Sequence, residues 1–148
     1  MASSNPYGAF NFLVEISGYT GVTAFMQCAL PAASIDVMEY RNGNDLLSNV
    51  HKLPGLVRYG NLVLKRGLTN STTLWSWFSS FVQGAGKTQT VTVTLLDASK
   101  TPMMKWVFTN AWPVRYETPD LDGKKSALAI ETLEVAVDGM SFVASPAQ

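Results

Sequence analysis

The chain has 148 residues, a length that suits one domain with its own core. Hydrophobic residues make up 47% of the chain, whereas charged residues make up only 15%, against about 25% in ordinary globular domains. This composition excludes a disordered chain and indicates a surface that is rich in uncharged polar residues or buried against other subunits. Eleven basic and eleven acidic residues cancel, which argues against partners attracted by net charge, such as nucleic acids or anionic membranes.

The single cysteine and the single histidine limit the chemistry available to the chain. Cys28 has no second cysteine to pair with, and together with His51 it is too little for an ordinary zinc or iron–sulfur site. Basic residues begin only at Arg41, so the start of the chain lacks the positive segment of a secretory signal. Two uncharged stretches, 16–35 and 67–86, have the length of a membrane span but are interrupted by glycine and polar residues. We expect a soluble, cytosolic domain with no cofactor and no membrane segment.

Alternation of apolar and polar residues with a period of two dominates the chain and predicts strands. It is clearest at 88–96, where Val91, Val93 and Leu95 alternate with threonines. The predicted strands cover residues 10–16, 23–28, 33–40, 60–66, 88–96, 103–109, 112–117 and 127–137. Seven or eight strands joined by short turns are typical of a β-barrel or a β-sandwich.

Only the segment 71–83 has the periodicity of a helix. Its apolar residues recur at i, i+3, i+4, i+7 and i+8, which makes a stripe on one side. The stripe consists of Leu74, Trp77, Phe78, Phe81 and Val82. Thr69 or Asn70 is placed to cap the start of this helix, and Gly84 is placed to end it. The fold class predicted is mainly β: a single-domain β-barrel, or a two-sheet sandwich closing to a barrel, with one flanking α-helix. The domain covers 1–148, with a core at about 5–139 and terminal tails at 1–4 and 140–148.

The segment 41–56 is too long for a hairpin loop and too apolar for a solvated one. It contains four large aliphatic residues: Leu46, Leu47, Val50 and Leu53. We therefore predict an arm that packs on something outside its own domain, with Gly43 and Pro54 at its bends. The alternative is a loop that folds over its own barrel.

The sequence contains fragments of known binding motifs, but none of them is complete. The tripeptide at 86–88 looks like the end of a phosphate loop, but Phe81 replaces the required glycine and the segment opens a strand. Asp120, Asp122 and Glu131 have the spacing of a calcium loop, but Lys124 occupies its fifth position and Lys125 replaces the required glycine at the sixth. Basic residues occur singly or in pairs, without the clustering of a nucleic-acid site. The sequence predicts a protein that is not an enzyme, and a specific nucleic-acid motif is missing.

Several short segments together carry a family resemblance. In chain order they are 6–16 (PYGAFNFLVEI), 51–55 (HKLPG), 64–69 (LKRGLT), 74–77 (LWSW), 110–114 (NAWPV) and 130–134 (IETLE). In this order the chain resembles the inner-tube proteins of contractile injection systems, which are phage-tail-like particles that drive a rigid tube through a target envelope. The resemblance covers about 5–139.

The resemblance implies a structural subunit. Such subunits form hexameric rings, in which strands of neighbouring subunits join into one continuous barrel around a channel, and the rings stack into a tube inside a contractile sheath. The implied partners are copies of the chain itself, the sheath protein, baseplate and cap proteins, and protein cargo in the lumen, with assembly in the cytoplasm. The alternative from another class is a monomeric ligand-binding β-barrel whose aromatic residues line a pocket.

Three groups of residues are candidates for assembly. The resemblance maps its long loop, which reaches toward neighbouring subunits, onto 40–56. The candidate ring-interface residues are Tyr40, Arg41, Asn42, Leu46, Leu47, Val50, His51 and Leu53. The polar face of the strand at 88–96 is expected to line the lumen through Thr90, Thr92 and Thr94. The outer side of the helix is the candidate sheath contact, with Trp75, Ser76, Ser79 and Ser80.

Overall fold

The computed structural model describes residues 11–19, 25–41, 43, 50–69, 71–124 and 129–144. Within these ranges the chain is mainly β with one helix, as the alternation predicts. The strands are β1 (Phe12–Ile16), β2 (Gln27–Ala29), β3 (Ala33–Tyr40), β4 (His51–Tyr59), β5 (Leu62–Gly67), β6 (Gln89–Leu96), β7 (Pro102–Glu117), β8 (Ile130–Ala136) and β9 (Gly139–Ala144), and the helix is α1 (Thr73–Val82).

The strands form one large antiparallel sheet in two layers, and a separate pair. The order along the large sheet is β1-β6-β7-β8-β5-β2, and β9 also pairs with β7. The first half of β7 lies between β6 and β9, and its second half pairs with β8. The first layer is therefore β1, β6, β9 and the first half of β7, and the second is β2, β5, β8 and the rest of β7. Among the described strands, β3 and β4 pair only with each other.

β7 joins the two layers because it bends without ending. The sequence predicts two strands here, at 103–109 and 112–117, but the structure has one of 16 residues. Asn110 has a φ of 51°, in the left-handed region that asparagine tolerates better than most residues. The register with β8 shifts between Pro113 and Arg115. The residues that interrupt the alternation therefore redirect the strand from one layer to the other.

The expected closed barrel is not confirmed. Among the described residues, the end strands β1 and β2 do not pair with each other, so the sheet stays open. Alternation tells which side of a strand is buried, but it contains no information on whether the last strand meets the first.

The core lies between the two layers and under the helix. Its buried apolar residues form one cluster to which both layers and α1 contribute. They include Val14, Ile16, Val91, Val93, Phe108, Leu62, Leu64, Leu133, Val135, Leu74 and Trp77. In β6 the apolar face turns inward, as the alternation predicts.

The helix is shorter than predicted. Its N-cap is Thr72, whose side chain makes no capping hydrogen bond, so the prediction of Thr69 or Asn70 is wrong for Thr69, and Asn70 lies outside the described residues. Gly84 has a φ of +81°, and its N–H donates to the Phe81 carbonyl at 3.1 Å, so it ends the helix as predicted. Val82 is the last residue of both the apolar stripe and the helix, and it is exposed. The two-layered sheet together with α1 is called the body below.

The prediction of a loop at 41–56 is wrong from residue 51 onward, and residues 42 and 44–49 lie outside the described residues. Residues from His51 onward belong to β4, which pairs with β3 from Tyr40 back to Ala33. Pro54 pairs with Val37 and is tolerated because the other edge of β4 pairs with no described strand. The register shifts beside Gly55, where a Cβ would lie 3.0 Å from the Asp36 carbonyl oxygen. Pro54 and Gly55 therefore belong to a bulged strand, although the sequence suggested a bend.

Other boundaries also differ. β9 comprises Gly139–Ala144 and extends the first layer, so residues 140–144 belong to a strand although the sequence predicts a terminal tail there. The predicted strand at 23–28 is observed only as Gln27–Ala29. Neither is long or strongly alternating, so each depends on a neighbouring strand for its conformation.

Candidate functional site

The β3–β4 pair, here called the arm, is the least covered part of the described chain. By register, Met38 lies opposite Leu53 and Tyr40 lies opposite His51, and the Tyr40 and His51 rings stack with 5.1 Å between their centroids. The first face of the arm therefore carries Met38, Tyr40, His51 and Leu53. The second face carries Ile35, Val37, Pro54 and Val57. Val37 is 61% exposed and Met38 is 58% exposed, so both faces present apolar surface to solvent.

Such a ribbon needs partners on both sides. A two-stranded hairpin is at best marginally stable in water, and single chains rarely leave large contiguous apolar patches exposed. The ion pair between Arg58 Nε and Asp36 Oδ2, at 2.8 Å, is solvent-exposed and adds little. The arm can therefore act as a docking element.

The structure brings only part of the predicted ring interface together. Tyr40, Arg41, Val50, His51 and Leu53 lie on the arm or next to it, and all five are exposed. Asn42, Leu46 and Leu47 lie outside the described residues.

Sequence reasoning missed the β3 half of the arm, including Ile35 and Met38. The available signal was the pair of consecutive apolar residues at 37 and 38, because a strand with one solvent face should alternate.

The threonine row of β6 faces away from the core. Thr90, Thr92 and Thr94 alternate with the buried Val91 and Val93. Thr94 is nonetheless only 8% exposed, because Leu13 and Lys105 flank it as direct partners on both neighbouring strands. The row borders an open depression of about 290 Å³. The depression is lined by Leu13, Glu15, Thr92, Thr94, Leu96, Pro102, Met104 and Lys105. That this face lines a lumen stays a prediction.

The outer face of the second layer carries charges from three strands, which the sequence did not connect. An open depression of about 230 Å³ lies there. Its lining residues are Val63, Lys65, Arg115, Glu117, Thr132 and Glu134. Arg115 Nη2 lies 2.6 Å from Glu117 Oε2, and the Asn61 side-chain amide donates to Glu134 Oε2 at 2.6 Å. Two basic and two acidic side chains therefore balance on this surface.

The outer side of α1 is uncharged and partly aromatic. Trp75 is 47% exposed, and its ring lies 5.4 Å from that of Tyr116 and 5.9 Å from that of Phe78. Ser76 is exposed, but Ser79 and Ser80 are only half-buried, so the expectation that both point outward is not met in full. The Ser80 hydroxyl donates to the Trp77 carbonyl at 2.6 Å, which turns it back along the helix.

A buried polar network lies beneath the start of the helix. Arg66 Nε donates to Glu131 Oε1, and Arg66 Nη2 donates to the Ser71 carbonyl at 3.2 Å. The Tyr116 hydroxyl donates to Glu131 Oε2 at 2.6 Å. Burial, together with the hydrogen bond to Glu131 and its charge, raises the pKa of Tyr116 to about 12, and Arg66 opposes the increase. The network joins β5, β7 and β8 to the segment that enters α1, which is a structural role.

The described residues offer little material for other chemistry. Among them, no group of three or more histidine, cysteine, aspartate or glutamate side chains is arranged to hold a metal ion. Within the same ranges, no helix has both the length and the apolar character to cross a membrane. Burial raises the pKa of the Cys28 thiol to about 12, which disfavours its reactive thiolate form.

An exposed apolar arm beside a sheet with unpaired end strands is typical of one class of protein. Members of this class are structural subunits that bury such surfaces and pair such strands against other copies. The family model for the T4-like virus tail tube protein gp19 matches residues 8–141, and the chain belongs to this family. It is therefore a structural tail-tube subunit and not an enzyme, which confirms the resemblance to inner-tube proteins and excludes the monomeric ligand-binding barrel.

Solved structures show the same fold. A chain from the anti-feeding prophage (AFP) baseplate, 6-fold symmetrised, has a TM-score of 0.82 and 26% identity, and the match covers 95% of this chain and 97% of that one. A chain of the PVC extracellular contractile injection system, in its extended sheath-tube complex, has a TM-score of 0.84, 23% identity and coverages of 96% and 94%. Hcp1 from Flavobacterium johnsoniae is more distant, with a TM-score of 0.53, 17% identity and coverages of 88% and 93%. Among the curated proteins none matches.

Proposed function

We propose that six copies of this chain close into a ring, and that the rings stack into the rigid inner tube of a contractile injection system. The observation that carries this proposal is the arm, whose two apolar faces have no cover within the described chain. Membership of the tail-tube family supports assembly into a tube. The similar chain from a 6-fold symmetrised baseplate supports six subunits per ring.

Ring closure would complete the barrel that one chain leaves open. Within the described residues the large sheet ends at β1 and β2, so unpaired backbone groups are available at its two ends. Pairing of these margins between neighbours would produce one continuous barrel around a channel. Rotational symmetry closes this pairing into a ring with a fixed number of subunits. A head-to-tail contact between rings along the axis does not close, so further rings can be added to the stack.

The arm supplies contacts between subunits in this proposal. Because its apolar residues lie on opposite faces, one partner surface cannot cover both, and we expect the arm to sit between two surfaces of other copies. The ring-interface residues are then Tyr40, Arg41, Asn42, Leu46, Leu47, Val50, His51 and Leu53, joined by Ile35, Val37 and Met38 of β3.

The remaining outer surfaces are assigned by their chemistry. The threonine row of β6, with Thr90, Thr92 and Thr94, is polar and uncharged, which suits a lumen wall that binds protein cargo only weakly. The uncharged outer side of α1, with Trp75 and Ser76 exposed, is the proposed contact with the sheath protein. Chains of the same fold occur in structures titled as a sheath-tube complex, a baseplate and a cap, which suggests the same partners for this chain. Assembly would take place in the cytoplasm.

Electron microscopy of the purified protein tests the proposal. We expect rings with six-fold class averages, or tubes. Val37→Asp and Met38→Asp each place a charge on one face of the arm, and both should abolish assembly while the circular dichroism melt stays close to that of the parent, because neither side chain is buried in the monomer. Val82→Asp, at an exposed apolar position on α1, is the matched control and should assemble. A parent that stays monomeric at all concentrations would refute the ring.

A further inference from the structure

A row of side chains across the first layer runs from the core to an uncovered edge. The register aligns Val14 with Val93, Val93 with Trp106, and Trp106 with Phe142. Val14 and Val93 are buried, Trp106 is half-buried, and Phe142 is 59% exposed. The Trp106 and Phe142 rings stack with their centroids 5.1 Å apart. The core-facing side of this layer thus continues onto β9, where the body no longer covers it.

β9 also lacks the features that protect an edge strand. One of its sides pairs with β7, and its other side pairs with no described strand. Its sequence, GMSFVA, contains no charged residue and no proline. Edge strands usually carry a lysine, a proline or a covering element, because an unprotected edge adds a further strand. β9 combines a free backbone edge with an exposed aromatic face, which are the two requirements for recognising an extended segment.

The arm has the matching properties. Opposite charges lie side by side on the arm: Arg58 contacts Asp36 at 2.8 Å, and Glu39 lies directly opposite Lys52 in the register. Burying an unpaired charge is costly, but these pairs can stay together when the arm is covered. The apolar side chains between them, such as Met38 and Leu53, suit an aromatic surface, because a methionine thioether packs well against rings.

We propose that the edge patch, defined as β9 with Trp106 and Phe142, is the seat for the arm of a second copy of the chain. This inference rests on the proposed self-assembly and specifies which surface of the neighbour receives the arm. Contact on Phe142 covers one face of the arm, and the free edge of β9 can pair with the backbone of the arm. The patch then stops being an aggregation hazard, because it is occupied in the assembled ring or tube.

Photo-crosslinking within assembled tubes tests this seat. Benzoylphenylalanine replaces Phe142 in an unlabelled chain, which is co-assembled with ¹⁵N-labelled parent and irradiated, and the adduct is mapped by mass spectrometry. We expect adducts in residues 33–59 of the labelled chain. The same crosslinker at Val82 is the control and should give none in that range. Adducts with residues 1–10, with any other segment or with the same chain would overturn the seat, as would tubes without adducts. A parent that forms neither rings nor tubes would instead refute the proposed function.

A matched pair of substitutions provides a second readout. Phe142→Asp should abolish sedimentable tubes and leave the melting temperature of the monomer close to that of the parent, because Phe142 is mostly exposed. Ser141→Asp places the same charge on the adjacent, exposed residue of the opposite face and should keep the tubes. Normal tubes from Phe142→Asp, or equal loss in both variants, would overturn a role for the aromatic face. If Phe142→Asp does not fold, the crosslinking result decides.

Discussion

Arg66 and Glu131 lie 65 positions apart in the chain and form a buried ion pair in the second layer. Each belongs to a short segment that carries the family resemblance, 64–69 and 130–134. Removing a charge from water is costly, so a buried pair persists only when its remaining hydrogen-bonding groups are satisfied. Here the Ser71 carbonyl and the Tyr116 hydroxyl contribute, so the two segments act as one site that holds the start of α1.

Tyr116→Phe tests this network. Removing the hydroxyl takes a hydrogen bond from a buried carboxylate, and we expect a loss of about 1.5–3 kcal/mol in the free energy of unfolding, measured by urea titration at pH 7.

The dependence on pH provides the control for Tyr116. Because its pKa is raised from 10 to about 12 in the folded protein, the unfolded chain loses this proton first as the pH rises. The contribution is complete below pH 10 and is lost as the pH rises toward 12. The phenylalanine variant should lack this component of the alkaline loss. An identical alkaline profile in the parent and the variant would contradict the assigned shift.

Two tryptophans on α1 show how burial decides the effect of the same side chain. Trp77 is 1% exposed, and its Nε1 donates to the Lys87 carbonyl at 3.3 Å. We expect Trp77→Ala to cost about 3–5 kcal/mol in thermal or urea unfolding. Trp75→Ala, on the exposed side of the same helix, should cost clearly less. Equal stability of the Trp77 variant and the parent would contradict the packing of the helix.

At the scale of elements, the docking of α1 depends on a glycine beyond its end. A Cβ at Gly86 would lie 2.4 Å from atoms of the Phe81 ring, so the ring occupies the space that any side chain would need. Packing against Phe81 therefore explains the glycine of the tripeptide at 86–88, which looks like the end of a phosphate loop in the sequence.

Gly86→Ala should displace Phe81 and destabilise the chain by about 1–3 kcal/mol, measured by calorimetry. Gly123→Ala is the control, because a Cβ there would meet no atom within 4 Å, and it should be close to neutral. A neutral Gly86 variant would show that the helix can shift without cost.

At the scale of the whole molecule, the body and the arm have different tasks. The body contains the buried core cluster, and the arm contacts it only through Tyr59, its last residue. The arm begins and ends at Ala33 and Tyr59, which are direct register partners, so a short linker can join these positions. We therefore expect tube formation to be separable from folding.

Replacing residues 34–58 with a short Gly/Ser linker should leave the body folded, because shortening a loop costs little closure entropy. The cooperative melt should persist, and electron micrographs should show no tubes. Normal tubes from this variant would contradict the role of the arm, and an unfolded variant would show that the arm supports its own body.

The sequence by itself determined the features that depend on near neighbours in the chain. Alternation identified the buried face of β6, and the 3.6-residue period located α1 and its buried Leu74 and Trp77. Gly84 marked the end of the helix, since a left-handed residue is a local requirement. The apolar character of 41–56 predicts an arm that packs outside its own domain, because exposing apolar surface is costly in any conformation; this packing stays a prediction.

Only the tertiary structure decided the features that depend on residues far apart in the chain. The open sheet, the passage of β7 between the layers and the pairing of β9 all depend on which strands meet, and period-two patterns do not encode partners. Pro54 is tolerated within a strand because one edge of β4 pairs with no described strand, and no local sequence signal shows this. In the sequence, Phe142 is an ordinary apolar residue. It is exposed because it lies on β9, at the outer end of the row formed by Val14, Val93 and Trp106.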